Sequence, residues 1–328
     1  MMLVDNMCHI SDWSSDLQFC QSIRGDTAEK MEFEILARGL YRPEQVVITY
    51  DPVLRMPVDD AIQGWMDHLW QRKLAMAREK GVQLFDAPLF RLVKVETGVE
   101  GRGQGGQWEM AGRGQTEREQ TGRGQASPVH LVLGDTSYKE YVTTREPEFF
   151  WGRRREELSN ALGVCSVVET SDGYILLDRR QGVDVYAGRY HVIGGFFERG
   201  LDMGEQPDPF AAMRREIREE TGIQKGDMRG QFCLGVVYDL ATPHGELCFL
   251  TELNIELAEV RRRVPEDDEV KELLALAASV EGLRDFVLSH HGNISATGEP
   301  NLLMYGAVRF GEGWFEEVVG RVQGNKEL

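Results

Sequence analysis

The stretch that decides the reading is REIREETGI, residues 215–223. Three glutamates and two arginines fall within nine residues, and the run closes on Thr221, Gly222 and Ile223. One reading is a solvated helix face laced with charge pairs at i,i+4. The other is a metal site. At about 100° per residue, Glu216, Glu219 and Glu220 share one face of a helix. Carboxylates held that close repel each other unless a cation compensates. A divalent cation that takes oxygen ligands, Mg²⁺ or Mn²⁺, is the natural partner. Phe210, Met213 and Ile217 take the opposite side and can pack on a sheet. Arg215 can hold the carboxylates by hydrogen bonds.

The flanks agree with a helix. Asp208 is suited to the N-cap, Pro209 to the first helical position and Gly222 to termination. The run YHVIGGFF just upstream reads as a strand ending in the pair Gly194-Gly195, where the backbone can approach a ligand closely and offer its amides to phosphate. Mg²⁺ keeps waters and prefers substrate phosphates as co-ligands, so the expected substrate is a diphosphate.

Gly194, Gly195, Glu198, Gly204, Glu205 and residues 215–223 together resemble the box of the Nudix hydrolases, GX5EX7REUXEEXGU. The second half matches at every specified position. The first half departs from it. Counted from Gly195 the arginine should fall at position 209, yet it stands at 215, which leaves the roles of Glu198 and Glu205 open. The resemblance implies an α/β (α+β) fold, an α/β/α sandwich on a mixed sheet, and hydrolysis of a nucleoside diphosphate linked to another group. It implies that Glu216, Glu219 and Glu220 bind the catalytic Mg²⁺, with Mn²⁺ as a substitute, and that Arg215 belongs to the catalytic set. The carboxylate that orients or deprotonates water would be one of these or one from a later loop. Candidates are Glu246 and the acidic turn Glu266, Asp267, Asp268, Glu269.

Outward from the box, GVCSVVET and YILLDRR around Asp172-Gly173 read as a hairpin, and FCLGVVYDL and GELCFLTELNIEL as further strands. Residues 266–290 carry helical spacing, and 300–310 read as a last helix. The N-terminal third alternates: 31–39, 44–50, 90–95 and 129–133 look like strands and 57–80 like one long helix ending near Gly81. We expect a small α+β domain over 1–150 and a Nudix domain over 151–328. Within the first of these, between the strands at 90–95 and 129–133, residues 97–127 hold GRGQ three times and read as a flexible Gly-rich insertion. Strands alternating with a few helices argue for a mixed sheet.

A closer resemblance lies outside the box. LFDAPLFRLVKVE (84–96), LVLGDTSYKEYVTT (131–144) and the helical AIQGWMDHLW are similar to the UDP-glucose/UDP-galactose diphosphatase branch of the family. This implies Mg²⁺-dependent cleavage of a UDP-sugar to UMP and a sugar 1-phosphate. Broader nucleoside-diphosphate-sugar or ADP-ribose hydrolysis, and a non-catalytic ligand sensor on the same fold, remain as alternatives. Gly194, Gly195, Arg189, Phe85 and Tyr138 are the candidate substrate contacts. Asp86 and Phe90 belong either to that pocket or to the packing, and Arg179 and Arg180 either to phosphate or to the surface. His191 and the pair His290-His291 read as structural.

Composition narrows the partners. A net charge of −17 disfavours binding to a nucleic-acid backbone, so the expected partner is a small nucleotide sugar. No apolar run reaches the roughly 18 residues needed to cross a bilayer. The N-terminus lacks the basic and apolar regions of a secretory signal, which points to the cytoplasm. Five cysteines, none spaced as CxxC, fit neither a zinc site nor a disulfide framework.

Overall fold

The structure is a computed structural model that describes residues 31–81, 83–97, 127–180, 185–266 and 272–324. The GRGQ repeats, Cys8, Cys20 and residues 267–269 of the acidic turn lie outside the described residues.

Among the described residues the strands are β1 (Phe33–Tyr41), β2 (Val46–Tyr50), β3 (Pro88–Thr97), β4 (Val129–Ser137), β5 (Leu162–Glu169), β6 (Tyr174–Arg179), β7 (Tyr190–His191), β8 (Ile193–Phe196), β9 (Met228–Asp239), β10 (His244–Leu253) and β11 (Leu273–Ala277). The helices are α1 (Asp60–Glu79), α2 (Tyr138–Thr144), α3 (Pro147–Phe150), α4 (Arg199–Asp202), α5 (Pro209–Thr221), α6 (Leu257–Val260), α7 (Val280–His290), α8 (Gly298–Phe310) and α9 (Glu312–Val322). The large sheet runs β1-β9-β10-β5-β6-β11, with β8 also paired to β5 and β7 to β6; a second sheet runs β2-β4-β3. Parallel β10–β5 and β2–β4 pairs among antiparallel neighbours make both sheets mixed, as expected. The division expected near residue 150 separates the two sheets for every strand but β1. That strand crosses it to form the edge beside β9, with Phe33 opposite Asp239.

Period-two alternation sorts the central strands into two faces. Val164, Cys233, Val236, Leu247 and Phe249 face a core shared with α5 and the second sheet. Cys165, Leu234, Val237, Cys248 and Leu250, from the same strands, face α7, α8 and α9. The layers are therefore helix and small sheet, large sheet, helices. Residues 266–290 do not form one helix. Leu273–Ala277 instead pairs antiparallel with β6, and Ser279 then caps α7 by accepting from the Gly282 amide at 3.0 Å. The LLALA run has no period of its own, and a free edge at β6 decides its form.

Helix α5 forms where its local signals say it should. The Asp208 carboxylate accepts from the amides of Phe210 and Ala211 at 3.0 Å each, and Gly222 closes the end in the left-handed region at φ 72°. A side chain at Gly222 would also meet the Val264 carbonyl oxygen at 2.4 Å. Phe210, Met213 and Ile217 are buried in the core, each contributing about 1.5–3 kcal/mol. An Ile217→Asp change would put an unpaired charge into that layer.

Candidate active site

Helix α5 lies across β8, and β8 pairs with β5, with Gly195 opposite Val164 and Phe196 opposite Gly163. The glycines fix how close these elements come. A Cβ on Gly195 would stand 2.5 Å from the Glu216 carboxylate, so this residue is small because the carboxylate rests on it. On the other side of β5, Gly163 is the register partner of Glu246 on β10, and a Cβ there would be 3.4 Å from Glu246 Cγ. Two glycines thus seat two carboxylates on one sheet surface.

Arg215 organises the helix face. One guanidinium nitrogen, Nη1, is 2.9 Å from Glu216 Oε1 and 3.0 Å from Glu219 Oε2. Nε and Nη2 donate to the two oxygens of Asp202 at 3.0 and 2.9 Å, and Nη2 also donates to the Phe196 carbonyl at 3.1 Å. Burial alone would lower the Arg215 pKa, but Asp202 and Glu216 against it hold it above the ordinary guanidinium value. Arg218 donates to Glu219 at 3.2 Å and to Glu266 at 3.0 Å. The hydrogen bonds expected of Arg215 are therefore present, and they reach further than the box helix.

Asp202 answers the broken first half of the box. The inserted residues fold into the short helix α4 and return to the start of α5 through a bridge between Met203 and Pro207. Asp202 is buried in this turn and also accepts from the Glu198 amide at 2.9 Å. Glu198 lines the site, whereas Glu205 is exposed. Sequence reasoning missed Asp202 because its spacing to Arg215 fits no motif. Its only signal was an acid close behind the glycine pair.

A cleft of about 670 Å³ opens over these residues. Its floor holds Glu216, Glu219, Glu246, Gly194 and Gly195. Glu246 sits between two histidines, with Oε2 3.6 Å from His244 Nε2 and Oε1 3.9 Å from His191 Nε2. Burial alone would raise Glu246, yet His244 and His191 hold it down to about 2. His244 donates from Nδ1 to the Thr242 carbonyl at 2.5 Å, which turns Nε2 toward Glu246. Burial disfavours its charge, but Tyr141, Glu246 and Asp239 around it raise it to about 10. His191 is driven the other way, down to about 3, by burial and then by Arg180. It shares a 2.6 Å hydrogen bond with the Ser295 hydroxyl. His191, read as structural from sequence, is thus a wall of the cleft.

The opposite wall comes from the N-terminal part. Phe85, Tyr138, Tyr141 and Val142 line it with Lys80 and Arg145. Tyr138 packs edge-on against Phe196 at 5.8 Å and Trp70 at 6.3 Å, so it is part packing and part lining. Asp86 is not in the cleft; its carboxylate accepts from the Lys139 amide at 2.8 Å. Phe90 is core, 4.3 Å from Phe197. Among the three arginines flanking the box strand, Arg180 lines the cleft and Arg179 lies over Tyr190. Arg189 is not among the lining residues: Glu32 binds it and its guanidinium covers the ring of Tyr186, which lines the cleft, at 4.5 Å. His291 pairs with Glu299 at 2.8 Å and His290 Nδ1 donates to the Phe286 carbonyl at 2.9 Å, both outside the cleft. Glu220 is buried in α5 and is not part of the cleft lining.

Carboxylate oxygens facing one cleft are the donors a hard divalent cation takes, so Glu216 and Glu219 suit one. As the side chains stand, among the described residues no three His, Cys, Asp or Glu groups are clustered tightly enough to hold a metal ion. Arg215 supplies the compensating charge instead.

Residues 159–286 match the family model of the NUDIX domain, a span that contains every box residue and Glu246. No match was found among curated proteins. Similar solved structures include the bifunctional NMN adenylyltransferase/ADP-ribose pyrophosphatase of Francisella tularensis in complex with AMP and a manganese ion (16% identity, 45% of this chain and 41% of that one, TM-score 0.32). They also include the NUDIX domain of Shewanella oneidensis NrtR in complex with ADP-ribose (15% identity, 52% and 96%, TM-score 0.34). A third is the MutT protein of Methanosarcina mazei (20% identity, 51% and 95%, TM-score 0.29). The chain spans less than half the length of the Francisella protein. Among the described residues no helix is long and apolar enough to cross a membrane.

Proposed function

We propose that the protein hydrolyses the diphosphate of a UDP-sugar in the presence of Mg²⁺, releasing UMP and a sugar 1-phosphate. The observation that carries this reading is the two-ended cleft: box carboxylates at its floor, aromatic side chains and cations on the facing wall. Its volume falls in the range of small-ligand sites, about 300–1,000 Å³. The segments that resemble the UDP-sugar diphosphatases, 84–96 and 131–144, include Phe85, Tyr138 and Tyr141 of that facing wall.

Of the three box acids, Glu216 and Glu219, which line the cleft, would hold the cation, which when bound would neutralise diphosphate charge and polarise water. The rest falls to the chain. Arg215 keeps two carboxylates apart and aimed at the floor. Glu246 is the acid outside the box best placed to orient or deprotonate the attacking water. It lines the cleft and is held anionic, whereas Glu266 is turned outward to Arg218. Lys80, Arg145 and Arg180 offer positive charge to the phosphates.

The test is product analysis. Purified protein with Mg²⁺ and a panel of UDP-glucose, UDP-galactose, ADP-ribose, ADP-glucose and dinucleoside polyphosphates should yield UMP plus sugar 1-phosphate from the UDP-sugars first. Preference for the adenine compounds would replace the UDP-sugar assignment with the broader one. No turnover of any compound would favour a ligand sensor.

A further inference from the structure

The inserted segment of the box does more than bring Asp202 to Arg215. Its preceding residue, Leu201, points the other way: it is 62% exposed and lines the cleft. On the facing wall Phe85 is 65% exposed and lines the same cleft. Both exposed apolar side chains line one cleft, the setting in which exposed apolar surface marks a ligand groove.

The elements that carry the two are held together by backbone contacts. Helix α4 lies against the start of β3: Arg199 Nε donates to the Leu89 carbonyl at 3.1 Å, and Glu198 bridges Leu89. Gly200, next to Leu201, faces Pro88: a Cβ there would make ordinary van der Waals contact with Pro88 Cγ at 3.7 Å. Pro88 is three residues from Phe85. Leu201 on α4 and Phe85 just before β3 thus stand on two packed elements that line one cleft, while Asp202, next to Leu201, is locked by the Arg215 guanidinium.

We infer that Phe85 and Leu201 form the nucleobase subsite of this cleft, one ring face and one branched aliphatic side chain closing on a planar base. The inference rests on the reading of the cleft as a nucleotide site. The chemistry selects the base over the sugar. A pyranose presents hydroxyls that need polar partners, whereas a base presents an apolar π-face that stacks on an aromatic ring. The carboxylates lie on the floor, so a diphosphate seated there leaves its nucleoside to reach toward the rim. The box insertion then couples two tasks in adjacent residues: Leu201 holds the base and Asp202 holds the arginine of the carboxylate set.

Binding measured apart from hydrolysis tests this. Titration calorimetry with Mg²⁺ would compare UMP with ribose 5-phosphate, which keeps the sugar and phosphate and lacks the base. In the wild type UMP should bind about tenfold more tightly, the order expected for one stacked base. In Phe85→Ala that ratio should collapse toward one, and in Leu201→Ala it should fall several-fold, while ribose 5-phosphate affinity holds in both. Both side chains are exposed, so neither change threatens the fold. A UMP to ribose 5-phosphate ratio unchanged in the two variants would place the base elsewhere and overturn the inference, as would absence of UMP binding by the wild type. Absence of turnover with intact UMP binding would instead sink the hydrolase reading and leave the subsite standing.

Discussion

Helix α5 and the segment just before it, residues 198–208, do one job by opposite means. The helix holds its acids by periodicity: Glu216 and Glu219 fall on the cleft side because 3.6 residues make a turn, and Arg215 reaches Glu219 as an i,i+4 partner. The segment holds Asp202 by folding back on itself, with Asp202 against Arg215, a bridge from Met203 to Pro207, and Asp208 left free to cap the helix. In the first, spacing in sequence is spacing in space. In the second, an acid thirteen positions from its arginine makes a two-pronged contact that no fixed spacing announces.

Breaking the helix side should have the largest effect. Glu216→Gln and Glu219→Gln keep size and remove charge at the floor of the cleft. Each should lower turnover by about a hundredfold or more, the scale seen when a charge-stabilising group is removed from an active site. The circular dichroism spectrum should stay that of the wild type, because Arg215 retains Asp202 and the Phe196 carbonyl as partners. Full activity in both variants would mean that the helix face is only a charge ladder.

Breaking the segment side should appear in stability as well. Asp202→Ala leaves Arg215 with its bidentate partner gone in a site where that aspartate side chain is only 3% exposed. The expected loss is about 2–3 kcal/mol, the range for a hydrogen bond to a charged group whose partner is stranded, read as a lower urea midpoint at unchanged slope. Glu205→Ala, three residues on and exposed, should stay within about 0.5 kcal/mol of the wild type. Equal effects from the two would remove the distinction between the structured acid and its solvated neighbour.

What was legible followed the same line. The α5 helix, its caps, the β5–β6 hairpin and the strands β9 and β10 could be read because local composition and turn chemistry decided them. The strand at Leu273–Ala277 was hidden because five apolar residues with no alternation take the form their neighbour offers, here the edge of β6. The crossing of β1 into the large sheet was hidden because pairing with β9 joins residues some 200 positions apart, and nothing within either strand encodes the partner. The site divides likewise. Glu216, Glu219, Gly195 and Glu246 came from motif and strand position. His244, Tyr141, Ser295 and Thr297 reach the cleft, and Asp202 reaches Arg215 behind it, only through the fold; Ser295 and Thr297 lie beyond the span that matches the domain model.

The smallest effect concerns pH, and it separates the floor from its walls. His191 is held at about 3, below its ordinary 6.5, so the unfolded chain takes up that proton first and stability falls as pH drops from about 6.5. Glu246, held at about 2 against 4.5, contributes stability that is complete above about 4.5 and is lost as pH falls toward 2. His244, raised to about 10, contributes stability that is complete below about 6.5 and is lost as pH rises toward 10. The three slopes meet near pH 6.5, where the stability of the fold should peak as followed by urea midpoints across the pH range. His191→Gln should flatten the limb between 6.5 and 4.5 and leave the alkaline limb in place; His244→Gln should do the reverse. An acid limb untouched by His191→Gln would assign that slope to carboxylates elsewhere in the chain, and the neutral histidine beside Glu246 would then be a lining residue with no hold on the stability of the fold.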